Sequence, residues 1–258
     1  MKLDKQEPDS QQVSQAIHIP VLTYHSISLT AQDYNSVSAA AFAEQMAWIA
    51  RYRRPLTLAE AQTALKTHRV PKDAVLITFD DGYREVLEHA VPLLLKYAIP
   101  AVFFLLIEAL GSDDRWNPRA EVIREHFTPE EVYQLAHVPG ITIGAHGFTH
   151  QRITRFEEYR MVAEMVGAKA GLEALTGKPV VAYAYPYGGF TVEAARIASR
   201  YFELAFASED CGTWNWQENP YTIRRLHIAR QLSLDGFIRL VEKGKASPSH
   251  LARRSLHT

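Results

Sequence analysis

The chain has 258 residues, 47% apolar and 22% charged, enough to bury a sizeable core and ordinary for one α/β domain. With 28 basic against 29 acidic residues, no overall field gathers nucleic acid or an anionic membrane, so any charge effect has to be local. The lone cysteine, Cys211, cannot close an internal disulfide. The first twenty residues lack the apolar stretch of a secretory signal, and the longest apolar run, Ala98 to Ile107, is about half a membrane span and contains Pro100. The expectation is a cytoplasmic protein with no integral membrane segment and no nucleic-acid partner.

Residues 1–16 are polar and aperiodic, a flexible arm by composition; 244–258 read as a flexible tail, leaving one domain over 17–243. The first strand-like run is His18 to Tyr24, followed by Ala74 to Phe79. Helical spacing then covers Glu85 to Tyr97, where Pro92 should kink the helix or displace its start. Ala101 to Ile107 is the next strand. Thr128-Pro129-Glu130-Glu131 sets an N-cap, a proline at the first helical position and the reciprocal glutamate of a capping box. After the strand Ile141 to Ala145, Thr154 to Glu157 repeats the box pattern, and Met165, Ala168, Leu172 and Leu175 run at helical intervals to a stop at Gly177. Val180 to Tyr185, a helix marked by Ala194, Ile197, Ala198 and Tyr201, then Glu203 to Ala207 and Thr222 to Ile228 complete the series. Strands apolar at every position and alternating with helices imply a parallel sheet covered on both faces. Seven such units predict an α/β fold, a distorted or incomplete (β/α)7 barrel in a single domain.

In parallel barrels the reacting groups sit where strands end. Here His25 follows PVLTY, Asp80 and Asp81 follow VLITF, His146 and His150 follow ITIGA, and Pro186-Tyr187-Gly188-Gly189 follows VVAYAY. Each signal alone has an ordinary structural reading: a turn, a solvated pair, a satisfied core histidine. Their common position at one end of one sheet favours chemistry instead.

Two imidazoles and one carboxylate form the ligand set of a catalytic zinc that keeps a position open for water or substrate. Asp81 with His146 and His150 supplies it, the His-x-x-x-His spacing letting two rings meet one ion if that segment is helical. Asp80 is then the general base for the water that the ion activates, both carboxylates reaching the rim because the chain turns at Gly82. Amide hydrolysis also needs a proton donor for the leaving amine, and His25 is the candidate.

These residues resemble the polysaccharide deacetylases of carbohydrate esterase family 4, the chitooligosaccharide deacetylase homology domain. Thr78 to Gly82 is an intact TFDDG block, and His146 and His150 form its His-x-x-x-His block. The resemblance implies Asp80 as base and Asp81, His146 and His150 as metal ligands. It also implies that the Tyr187 backbone N–H, in Ala184-Tyr185-Pro186-Tyr187-Gly188, helps to hold the oxyanion. The arginine that opens this block in the family is replaced by Ala184. No clear late Leu-x-His block is present, whereas PVLTYHSIS resembles the N-terminal block of the poly-N-acetylglucosamine deacetylase branch, where the acid histidine comes first. His25 is therefore the expected acid, with His227 in reserve.

The implied activity is removal of N-acetyl groups from an amino-sugar glycan or precursor. The implied cofactor is a divalent metal, zinc first, with cobalt, nickel or manganese as alternatives. A deformylase, acetyl esterase or cyclic-amide hydrolase on the same scaffold, and a non-catalytic carbohydrate-binding relative, are the competing readings. Trp116 and Trp214 are candidates to stack on a pyranose, with Trp216 beside them, or else to cap the core. Arg224 and Arg225 read as surface ion-pair residues or contacts to an anionic substrate.

Overall fold

The computed structural model describes residues 19–30, 33–116, 122–208, 216 and 219–243. The arm and tail expected at 1–16 and 244–258 lie outside the described residues, as do Cys211, Trp214 and the side chain of Trp116.

The strands are β1 (Val21–Tyr24), β2 (Ser26–Ser28), β3 (Ser36–Ser38), β4 (Arg54–Pro55), β5 (Ala74–Phe79), β6 (Ala101–Leu105), β7 (Ile141–Ala145), β8 (Ala182–Ala184), β9 (Leu204–Phe206) and β10 (Leu226–His227). The helices are α1 (Ala39–Tyr52), α2 (Leu58–Thr67), α3 (Glu85–His89), α4 (Val91–Lys96), α5 (Pro129–Ala136), α6 (Glu158–Thr176), α7 (Val192–Tyr201) and α8 (Leu234–Lys243). A curled sheet runs β10-β1-β5-β6-β7-β8-β9, every neighbouring pair parallel, with β4 added against the start of β5. All seven expected strand runs lie in this order, each with its core inside the predicted bounds.

The all-apolar strands are explained by burial on both faces. Along β5, Ala74 and Leu76 join an inner cluster with Val102, Phe104, Ala182, Leu204 and Phe206. Val75, Ile77 and Phe79 of the same strand face outwards into the helix layer. Leu58, Ala61 and Ala64 of α2 also belong to the inner cluster, so α2 plugs the end where β4 pairs with β5. Its start is fixed by a capping box between Thr57 and Glu60.

The sheet's two edges meet through one irregular segment. Ile223 bridges Phe206 of β9, its N–H donating to Ala205 and its carbonyl accepting from Ala207, and three residues later Leu226 pairs with Leu22 of β1. The expected strand Thr222 to Ile228 therefore serves two neighbours in turn, and Arg224 and Arg225 occupy the crossover.

Helix starts follow the sequence in most places. Thr128 caps α5 with the full reciprocal box, Pro92 splits the expected helix into α3 and α4, and Gly177 ends α6 in the left-handed conformation (φ 68°). The box expected at Thr154 does not form. Thr154 is spent in a 3-10 turn, Ile153–Arg155, and α6 starts from Glu157 without a side-chain cap. No helix among the described residues is long and apolar enough to cross a membrane.

Candidate metal centre at the strand ends

β5 delivers both aspartates. Asp80 N–H continues the ladder by donating to Tyr24 O at 2.9 Å, and the chain then reverses, with Asp81 (φ 71°) and Gly82 (φ 73°) left-handed and Gly82 N–H donating to Asp80 O at 2.9 Å. Glycine is favoured here by φ, and a Cβ on Gly82 would also press on Leu105 Cδ2 at 2.9 Å. The turn is clamped from outside. Buried His126 donates through Nδ1 to Asp81 O at 2.9 Å, and Phe127 N–H donates to Gly82 O at 2.9 Å. This reversal lets adjacent carboxylates reach one rim.

β7 delivers the histidines, and the segment between them is not helical: His146 leaves the strand, Gly147 (φ 90°) and His150 (φ 58°) are left-handed, and the loop folds both rings inward. The His-x-x-x-His spacing thus works through a tight loop rather than one helix turn. His146 N–H donates to Leu105 O at 2.9 Å, and its Nδ1 donates to Ala184 O at 2.8 Å. That bond fixes the tautomer and leaves Nε2 as the free lone pair, as a metal-ligating imidazole requires. Ala184, where the family arginine is missing, contributes its carbonyl instead.

The donor set fits a divalent ion. Asp81, His146 and His150 each offer one ligand atom, and these atoms lie within 4.8 Å of one another. Asp81 Oδ1 is buried, 3.4 Å from His146 Nε2 and 3.3 Å from His150 Nε2, with no hydrogen bond completed at it. Two imidazole nitrogens and a carboxylate oxygen converging on one point are what a nitrogen-and-oxygen metal site presents. Electrostatics agree: burial works against ionised Asp81, yet its interactions with the His150 and His146 rings hold its carboxyl far below the usual range. Burial lowers His150 to about 4, so it stays neutral and ligand-competent near pH 7.

Asp80 is set apart by a partner absent from the expectations. Arg225 grips both of its oxygens, Nη1 to Oδ1 and Nη2 to Oδ2, each at 2.7 Å, and Nε donates to Ala207 O at 3.3 Å. The reading of Arg225 as a surface residue is corrected: it is 4% exposed, at the crossover between β9 and β10. Burial, the largest single influence, pushes the Asp80 carboxyl up, and the Arg225 charge and hydrogen bonds together with His146 and His25 outweigh it, so the group is held ionised below its ordinary value. Asp80 thus has an arginine partner although position 184 is alanine.

His25 stands on the same rim, between β1 and β2, with His227 at the end of β10 beside it. Their rings meet edge to face at 5.2 Å, and Tyr34 stacks on His227 at 5.1 Å. His25 Nδ1 has no hydrogen-bond partner among the described residues. Burial lowers the His25 pKa, with the Asp81 and Asp80 charges opposing it.

Tyr187 (φ 60°) forms the next wall. Its half-exposed ring stacks on His150 at 4.7 Å, with the Arg152 guanidinium 4.4 Å from the ring centre on the rim. Gly188 must be glycine, since a Cβ would lie 2.3 Å from that of Ser208. Of the tryptophans, Trp216 is buried in the inner cluster against Phe206, a core role.

Comparison with known proteins finds a family model and several relatives. The family model described as polysaccharide deacetylase matches residues 67–202, more than half of the chain. YxkH of Bacillus subtilis (strain 168), named as a polysaccharide deacetylase, is 24% identical over 95% of this chain and 85% of its own. The poly-beta-1,6-N-acetyl-D-glucosamine N-deacetylase of Staphylococcus aureus is 36% identical over 83 residues, 32% of this chain and 29% of that one, so the match spans under a third of either protein. Among solved structures, the Streptococcus pyogenes deacetylase PplD in complex with acetate superposes with a TM-score of 0.75 at 22% identity, over 87% of this chain and 98% of that one.

Proposed function

The chain belongs to the polysaccharide deacetylase family, and from that premise we propose that it is a metal-dependent hydrolase removing N-acetyl groups from an amino-sugar glycan or precursor. The observation that carries the proposal is the pairing of a convergent Asp81, His146 and His150 set with a second aspartate, Asp80, locked ionised by Arg225. A binding-only site has no use for a buried carboxylate held charged beside its ligand set.

Asp81, His146 and His150 would hold the ion, zinc by preference. When bound, such an ion supplies Lewis acidity, lowering the pKa of a ligated water to about 7 and polarising the amide carbonyl. The remaining work falls to the chain. Asp80 takes the proton of the attacking water; its carboxylate offers about four lone-pair positions, and the Arg225 fork occupies two of them. Arg225 also makes Asp80 a weaker base than a free carboxylate, in exchange for a fixed aim. The Tyr187 N–H steadies the oxygen on which charge develops. His25, in its protonated form, gives a proton to the leaving nitrogen, without which an amine is a poor leaving group, and regains one from solvent while Asp80 releases the proton it took. The half-exposed Tyr187, packed between His150 and Arg152, presents the edge of its ring to an approaching sugar.

The test is acetate release from N-acetylglucosamine oligomers by metal-stripped protein, with and without zinc or cobalt. The expected result is metal-dependent acetate, lost by a factor of about 10²–10⁴ in Asp80→Asn while metal affinity stays within a few-fold. Undiminished turnover in Asp80→Asn sinks the base assignment. Metal binding without acetate moves the substrate to another amide or ester.

A further inference from the structure

The loop that carries His146 and His150 owes its shape to a carboxylate with no part in the proposed reaction. Glu164 lies in α6, 7% exposed, and its three hydrogen bonds all come from this loop. Oε2 accepts the Phe148 and Thr149 backbone N–H groups, each at 2.9 Å, and Oε1 accepts the Thr149 hydroxyl at 2.7 Å. The loop needs such an acceptor. With left-handed backbone at Gly147 and at His150, it cannot satisfy its own amides through a helix or a ladder.

The rest of the α6 face is moulded to the same loop. A Cβ on Gly167 would lie 3.3 Å from the Phe148 ring, and one on Gly171 would lie 2.8 Å from Ile107 Cδ1, so two missing side chains let the β6 and β7 loops settle on the helix. Glu108 N–H joins those loops by donating to Phe148 O at 3.0 Å. Residues 164, 167 and 171 are spaced by three and four, hence on one face. Gly147 is pressed into the same corner, where an added Cβ would meet Pro186 Cγ at 3.3 Å and Glu164 Oε2 at 3.5 Å.

The two histidines are secured differently. His146 is fixed by its own bonds to Leu105 and Ala184, whereas the Cα of His150 is placed by the backbone of Phe148 and Thr149, which Glu164 holds. We propose that Glu164 is a positioning residue for the metal centre, its buried carboxylate fixing the Phe148 and Thr149 amides and so setting the aim of His150 at the ion shared with Asp81 and His146. This inference rests on the metal reading above.

The test is titration of the metal-free full-length chain with cobalt(II), reading the visible d–d spectrum and the Kd by chelator competition, alongside the Tm without metal. Glu164→Ala is expected to weaken cobalt about 10–100-fold, the usual cost of losing a group that orients a ligand, with a changed d–d band. Glu164→Gln keeps an acceptor for the amides but gives up the charge-assisted bonds, and an intermediate loss of about three- to tenfold is expected. If both variants bind cobalt with wild-type affinity and spectrum, whatever their Tm, Glu164 only supports the fold and the proposal is overturned. Should Glu164→Ala fail to fold, Glu164→Gln decides by the same criterion. A wild-type protein that binds neither cobalt nor zinc overturns the metal reading and this inference together, and does so before any variant is made.

Discussion

The metal side of the rim and the acid side are held by different physics. Asp80, Asp81 and His146 are each fixed by directed bonds: a guanidinium fork, a histidine on the carbonyl, a strand carbonyl on the ring. His25 is held by ring packing against His227, and its Nδ1 has no hydrogen-bond partner among the described residues. Directed bonds fix position and charge together, whereas packing fixes position and leaves the proton state to the surroundings. Asp80, Asp81 and His146 are therefore placed before substrate arrives, and the proposed acid keeps a titratable ring whose state the substrate can still influence.

The widest test of that contrast removes the acid. His25→Ala should lower acetate release by about 10²–10⁴-fold with little change in cobalt affinity, while His227→Ala, which removes a packing neighbour, should cost less than about tenfold. Steady-state kinetics of both variants check this, and a larger loss in His227→Ala would reverse the two roles. The next test breaks the fork. Arg225→Met strands a buried carboxylate, so about 3–5 kcal/mol of stability is expected to go, read by urea unfolding, with the acidic limb of kcat/KM moving to higher pH as Asp80 loses its cation. Arg225→Lys, a single point charge on a flexible stem, should recover part of kcat and less of the stability.

The smallest effect is on acid stability. In the metal-free protein the Asp80 and Asp81 carboxyls lie below their ordinary values. Their contribution is thus complete above about pH 4, the unfolded carboxylate value, and is lost as pH falls through the depressed folded values. In Arg225→Met burial, the largest influence on Asp80, is opposed only by His146 and His25 and is expected to raise its carboxyl, which reverses the sign for that group, so urea midpoints should fall less steeply between about pH 5 and pH 3 than in wild type. Parallel profiles would mean that the fork does not set the charge of Asp80.

The sequence disclosed whatever is local. An apolar run ending in two aspartates announces its own anomaly, and so does a glycine placed where the chain must reverse. The histidine spacing was readable, but its mechanism was not: helix geometry was the natural inference from i, i+4, and the loop that replaces it depends on Glu164, which in sequence is one more charge on a helix. Its only local signal is that it stands beside the buried Met161, Met165 and Ala168. Arg225 is 145 residues from its partner, next to another arginine in a segment that looks solvated, so no spacing rule links it to Asp80. The sequence points to His25 as the acid with His227 in reserve, and the pairing of β1 with β10 brings both rings to the same corner.

The crossover of residues 223–226 has a further consequence in time. A nascent chain that has emerged only as far as β9 already owns both aspartates and both histidines, yet nothing that can carry the base charged into a dry interior. The guanidinium arrives with the segment that closes the sheet against β1. Closing the barrel and charging the base are thus one event, and a chain stalled before it would present the ligands without the reagent.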